Sequence, residues 1–436
     1  QGTNAVTDFV TTADSIEFKG GTLHVKETGV SIATAGGAVT INSIDGDHDE
    51  TVSINAGAGA VSVGRIGGTN NSGEGIKSVS ITSTHATGIT LSGNITTSDT
   101  ADSDVTLSGD VVISGSVDID TSQGTDGSIE FTKTIKGAGG TDNLTLDTGN
   151  DTLTFHATNT TIGVGDKPLT SLSIGQNGGT ADITVPQIGD GTDDGVSGTV
   201  LIGTSTSTSV TMRDQLYRFG SGNVTITADT TGTIFSTAGN STVDLAGGAF
   251  KITGAAKVSN GSLDINTAGG NIDITGAVVG HNGDESLILD DNGGNSSAVI
   301  TLGGNIGADS GQASNLASVT LVGTGGINLS GDITTSTTAG GGVSITGPVT
   351  LKGDVIIDAD AANTTVTLNS TATVNSDSTS RDFEITTAGG KITVDSVLGG
   401  TTALKSLKIN DQAGAADIDI AGIGSSTSGT GVIAAG

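Results

Sequence analysis

The chain has 436 residues, a formal net charge of −30, 72 glycines, three prolines, one methionine, and neither cysteine nor tryptophan. Such acidity argues against nucleic acid or an anionic membrane as partner, because both would be repelled. The missing cysteines exclude disulfides and thiol chemistry and fit an exported bacterial protein. No run of about 18 apolar residues exists, so no membrane insertion is expected. Gln1 opens without a charged, apolar-cored leader, so any signal peptide is expected to have been removed already or never included.

From the amino terminus onward, short runs alternate Val, Ile or Leu with Ser, Thr or Asp. Val39 and Ile41, Val79 and Ile81, and Val105 and Leu107 are examples, and each reads as a strand with one apolar face. A disordered linker has no reason to keep that beat. At 91–98 the chain spells LSGNITTS, and at 329–336 it spells LSGDITTS, a shift of 238 residues. The match runs on: Val105, Leu107, Gly109, Val111, Ile113, Gly115, Val117 and Ile119 correspond to Val343, Ile345, Gly347, Val349, Leu351, Gly353, Val355 and Ile357. Every apolar position stays apolar and every glycine stays glycine. Leu91, Ile95, Leu329 and Ile333 are read as further inward rungs, and Gly93, Gly109, Gly115, Gly331, Gly347 and Gly353 as turns. Ala35-Gly-Gly37 answers Ala268-Gly-Gly270, and Val10 and Asp14 answer Val210 and Asp214. The chain is therefore divided into two long units, 1–209 and 210–436, continuous with each other, the second carrying roughly 30 inserted residues between about 226 and 268.

Within a unit, Val105, Val111 and Val117 recur every six residues with a glycine between them. Strands that short and that closely spaced cannot form deep hairpins; they read as successive sides of a coil that keeps turning one way. Stacked coils give each strand a parallel neighbour and bury a shared core. A string of β-sandwiches is the competing architecture, but sandwiches anchor their cores on Trp or Tyr, and the chain holds no Trp and one Tyr. An all-β, single-stranded parallel β-solenoid is predicted, and roughly 20 residues per coil would give about 20 coils.

The segments Ile129-Glu-Phe131, Leu144-Thr-Leu146, Leu153-Thr-Phe155, Leu169–Ile174, Leu216-Tyr217 and Asn223–Ile226 resemble the strand repeats of filamentous-haemagglutinin-like exoproteins and autotransporter-type adhesins. That resemblance implies a right-handed β-helix (a β-solenoid) displayed at the bacterial cell surface. No amino-terminal secretion domain typical of two-partner exoproteins is recognisable.

Candidate chemistry is sparse. Gly140-Thr-Asp142-Asn-Leu144 and Gly149-Asn-Asp151-Thr-Leu153 repeat at a spacing of nine, as the calcium nonapeptides of RTX solenoids do, which makes Asp142 and Asp151 the candidate metal ligands and calcium the only candidate cofactor. Their paired glycines and GxGxD spelling are incomplete. Asp45 to Glu50 opens like an EF-hand loop, but Glu50 stands where glycine is required and Ala56 where a bidentate Glu is required. Asp190, Asp193, Asp194, Asp284, Glu285, Asp290 and Asp291 read as solvated loops. Carbohydrate cleavage needs paired carboxylates and, usually, aromatic platforms; with nine aromatic residues and four arginines the chain is expected to be no enzyme. His24, His48, His85, His156 and His281 show no ligand spacing. A Thr-rich run, 204–210, raises an ice-binding face, which Asp and turns interrupt. Met212–Phe219 gathers the only Met, the only Tyr and two arginines, and reads as a wide coil corner or a lateral contact patch.

Residues 432–436 fall in phase with the counterpart of Gln1, so the two ends are expected to present matching open edges that seek partners, either in copies stacked end to end or in a longer solenoid of which this chain is a window. The expected function is a non-enzymatic extracellular structural protein: a surface filament, sheath or adhesin stalk, self-assembling head to tail. The rival is an adhesin that recognises glycans or another cell surface.

Overall fold

The computed structural model describes all residues except 1–5, 27, 48–49, 69–74, 99–102, 124–125, 157–159, 176–178, 180–181, 230–231, 236–238, 294–296, 308–314, 337–340, 363, 412–416 and 425–436. His48 and the chain end at 432–436 lie outside the described residues. What is described is all-β: a parallel β-solenoid of about 15 turns without a helix. Two compact units are present, 1–211 with 218–220, and 212–217 with 221–436.

In the first unit one turn consists of the strands Val105–Ser108, Val111–Ile113 and Ser116–Asp120. Each pairs in parallel with the same side of the turns on either side: Val105 with Val79 and Ile129, Val111 with Ile89 and Ile135. Seven strands, from Thr7–Thr11 to Leu153–Phe155, build one face. Along it, Val30, Val52, Val79, Val105, Ile129 and Leu153 stack in one column, stepping 22, 27, 26, 24 and 24 residues. The second unit repeats the plan with Gly342–Thr346, Val349–Leu351 and Val355–Ala362. There Phe250, Ile272, Ile300, Ile327, Val349 and Val374 stack at steps of 22, 28, 27, 22 and 25. About 15 turns is roughly consistent with the expected count, the steps of 22 to 28 residues being somewhat longer than the 20 assumed because the corners take up residues that the strand spelling does not reveal.

The inward residues form the core. Leu91, Ile95, Val105, Leu107, Val111, Ile113, Val117 and Ile119, with Leu329, Ile333, Val343, Ile345, Val349, Leu351, Val355 and Ile357, are each at most 2% exposed. Larger rings fit too: Phe131, Phe219, Phe235, Phe250, Phe383 and Tyr217 are fully buried, and Phe131 stacks on Phe155 at 5.6 Å on the next turn. The scarcity of aromatics is therefore not imposed by a narrow interior. The segment around 226–268 forms ordinary rungs, among them Ser241–Leu245, Phe250–Thr253 and Ser262–Asn266.

The six repeat glycines serve two purposes. Gly109, Gly115 and Gly347 adopt φ of 148°, 93° and 110°, where a side chain is strained. Gly93, Gly331 and Gly353 are needed because an adjacent turn lies so close. A Cβ there would sit 2.7 Å from the Arg65 nitrogen, 2.3 Å from Asn305 Oδ1 and 2.5 Å from the Ser330 carbonyl oxygen, respectively.

Corners are closed by side-chain clips between turns. The Asn94 Oδ1 accepts the Asp118 amide at 3.1 Å, and Asp332 Oδ1 accepts the Ile356 amide at 2.7 Å. Only an acceptor oxygen is required there, which is why Asn and Asp exchange in the repeated octet. Asp104, Asn223 and Asn271 make the same bond to Ser128, Ala249 and Val299. A second device is the buried threonine of Thr34-Ala-Gly-Gly37, Thr267-Ala-Gly-Gly270 and Thr387-Ala-Gly-Gly390, whose hydroxyl donates to the carbonyl of the last glycine. It satisfies backbone that turns away from both ladders.

Replacing Val111 or Val349 by Asp places an unpaired charge among stacked aliphatics and is expected to cost several kcal/mol, read as a lowered Tm. A wild-type melt would place these side chains outside the core.

Candidate functional site

The calcium candidates come first, because their donor atoms are all visible. Asp142 is 2% exposed. Its Oδ1 accepts the Gly115 amide from the turn below at 2.8 Å, and its Oδ2 accepts the Gly139 and Gly140 amides at 2.8 and 2.9 Å. Burial works to raise its pKa, but the backbone amides of Gly115, Gly140, Gly139 and Ala138 outweigh it and hold the carboxyl below its usual range. Three N–H dipoles aimed at one carboxylate make Asp142 a corner anchor. Asp151 accepts both the amide and the hydroxyl of Thr152, at 2.6 and 3.0 Å. Neither side chain bonds the other. Glu285 repeats the anchor design, fully buried and accepting the Asn282 and Gly283 amides. Asp190 does the same with Thr192, Asp193 and Gly165, whose amides hold its carboxyl well below the ordinary range.

A different set of acids lines up in rows on the side of the strands away from Val117 and Ile119, with Asp147 itself only 2% exposed. Asp118 and Asp120 lie on one strand, and Asp120 pairs in register with Asp147 on the next. Burial, then the charges of Asp120 and Asp147, push the Asp118 carboxyl up to about 6. In the second unit Asp264 is raised in the same way, by burial and then by Asp244 and Asp290. These rows were missed in the sequence, because the residues meet only through the register of turns 20 to 30 positions apart. Among the described residues no group of three His, Cys, Asp or Glu is arranged to hold a metal ion.

The stretch Met212–Phe219 divides cleanly by side. Met212, Tyr217 and Phe219 are buried at 0–1% exposure. The Tyr217 hydroxyl accepts the Asp214 amide at 2.7 Å, and Arg213 pairs with Asp214 at 3.1 Å. Its large apolar groups are spent on the core, as a wide corner requires, and are not offered as a contact patch.

What the surface does offer is strand edges with apolar rungs. Among the described residues six large hydrophobics are exposed: Val6, Val10, Leu201, Ile356, Ile418 and Ile423. Val10 is on Thr7–Thr11 with Val6 just before it, and Ile418 and Ile423 are on Ile418–Ile423. Ile418, Ile420 and Ile423 are the last described rungs of columns whose previous members are Ile392, Val394 and Leu398. At the other edge Phe9 caps the column of Ile32 and Ile54.

No protein-family model matches the chain, and no curated protein or solved structure matches it either.

The raised Asp118 carboxyl destabilises the fold once ionised; the penalty grows as pH rises from near 4 and is complete above about 6. Asp118→Asn is therefore expected to raise Tm near pH 7 and to leave it unchanged near pH 4, in thermal melts across that range. A gain of equal size at both ends would remove the repulsion as its cause.

Proposed function

We propose that the chain is a non-enzymatic structural element of an extracellular surface filament, sheath or adhesin stalk, extended by stacking one solenoid turn on another. The observation that carries this reading is the pair of edges. Among the described residues, each carries the last member of columns of stacked apolar side chains, Phe9 on Ile32 at one and Ile420 on Val394 at the other, and a strand edge of that kind seeks a further strand. The group that satisfies both is another turn of the same spelling, so the partner is a further solenoid turn, presented by a second copy or by continuing chain.

The acidic, cysteine-free composition suits an exported protein in salty or calcium-bearing surroundings. Kinship with filamentous-haemagglutinin-like and autotransporter-type exoproteins belongs to the same proposal and is supported by the strand spelling together with the solenoid fold. The carboxylates whose bonds are seen serve as corner anchors or stand in repelling rows, which favours scaffolding over catalysis.

Light scattering and electron microscopy of the purified chain test the idea. Elongated species whose mass rises with concentration are expected, with Phe9→Asp or Ile420→Asp remaining short and folded. Monodisperse monomers at every concentration, salt and calcium level would sink the stacking mechanism.

A further inference from the structure

One groove in the second unit departs from the internal repeat in a way that points to a ligand. It runs across four successive turns at one corner and is lined by Asn292, Val322, Thr324, Thr346, Pro348 and Thr371, with Gly323 and Gly347 between them. Its volume is about 360 Å³, within the range of small-molecule sites. The cause of the groove is corner length. The strands Gly342–Thr346 and Val349–Leu351 are joined by two residues only, Gly347 and Pro348. The corners above and below, 323–326 and 369–373, are four and five residues long, so the short corner is recessed between them.

The lining carries no charge, in a chain whose net charge is −30. At the counterpart corner of the first unit, Gly109-Asp110, the residue at the position of Pro348 is Asp110. The second unit has thus exchanged a carboxylate for an apolar ring on the groove floor. Hydrogen-bonding capacity is left over around that ring. The Thr346 hydroxyl accepts from Asn369 Nδ2 at 2.7 Å, and the Thr371 hydroxyl accepts from the Gly347 amide at 3.1 Å. Each keeps an O–H to donate. Beside the groove, buried Asp291 accepts the amide and hydroxyl of Thr324 through Oδ1, while its Oδ2 is buried with no partner among the described residues. Carboxyl groups at 290 and 291 disfavour an anionic occupant.

We propose that this notch binds one neutral sugar unit, its apolar ring face on Val322 and Pro348 and its hydroxyls toward Asn292, Thr346 and Thr371. Val and Pro supply the apolar contact that an aromatic platform usually gives, so binding is weak for one ring and gains strength when many copies are displayed together. The site stands whether or not the turns stack into filaments.

The test is an NMR titration of the whole chain with the methyl glycosides of glucose, galactose, mannose and N-acetylglucosamine, and with glucuronic acid. At least one neutral glycoside is expected to saturate in the millimolar range, shifting the amides of Thr324, Thr346 and Thr371. Pro348→Asp, which restores the residue the first unit already tolerates at its own corner, should weaken it by roughly tenfold or more without lowering Tm. Thr346→Val with Thr371→Val is the second variant, should Pro348→Asp melt early, and is expected to weaken binding likewise. The proposal is overturned if no neutral glycoside saturates, if a folded variant binds as the parent does, or if glucuronic acid binds as tightly.

Discussion

Backbone pairing between successive turns is the constraint on which everything else in this fold depends. A strand of three residues such as Val111–Ile113 has no hairpin partner; its amides and carbonyls are satisfied only by Ile89–Leu91 on one side and Ile135–Gly137 on the other. Parallel, in-register pairing then forces like residues to stack: Val111 on Ile89, Val117 under Leu144, Phe131 against Phe155. The core is the by-product of that register, and so is the surface. Outward side chains line up as surely as inward ones, which is why Asp120 meets Asp147 and a carboxyl near them is driven up toward neutrality.

The same stacking explains how so acidic a chain holds together. Many of its acids are consumed at corners, where one carboxylate oxygen takes an amide from a neighbouring turn. Asp104, Asp142, Asp190 and Asp332 act in this way. Asparagine does equally well at Asn94, Asn223 and Asn271, because the amide nitrogen is not used. Corners freed from charge, such as Gly347-Pro348, are then the places where the surface can be given to a ligand without loss to the scaffold.

The parts of the fold written in local letters were legible in the sequence. Period-two runs marked the strands, and the 238-residue match marked Leu91, Val105, Val349 and their partners as equivalent rungs, all of which lie in the core. Turn length was less legible, since a corner of two residues at Gly347 and one of four at 323–326 are both spelled with glycine. The spacing-of-nine acids suggested a metal, but Asp142 is bonded by three amides, one of them from Gly115, 27 residues earlier. Thr-Ala-Gly-Gly, present at 34, 267, 338 and 387, was a readable corner signal that strand periodicity does not detect; the copy at 338 lies largely outside the described residues. The carboxylate rows and the notch depend on which turn follows which, so no single segment announces them.

Because the chain has no cysteine, register can be read by introduced disulfides, and this tests the central claim most directly. Ser80 and Thr106 are Cα partners on adjacent turns, at the roughly 4.8 Å spacing of paired strands and within disulfide reach. Ser80→Cys with Thr106→Cys should oxidise readily in the folded protein. Ser80→Cys with Ser108→Cys, displaced by two residues, should not. Equal oxidation of both pairs, or oxidation of the displaced pair alone, would contradict an in-register parallel solenoid.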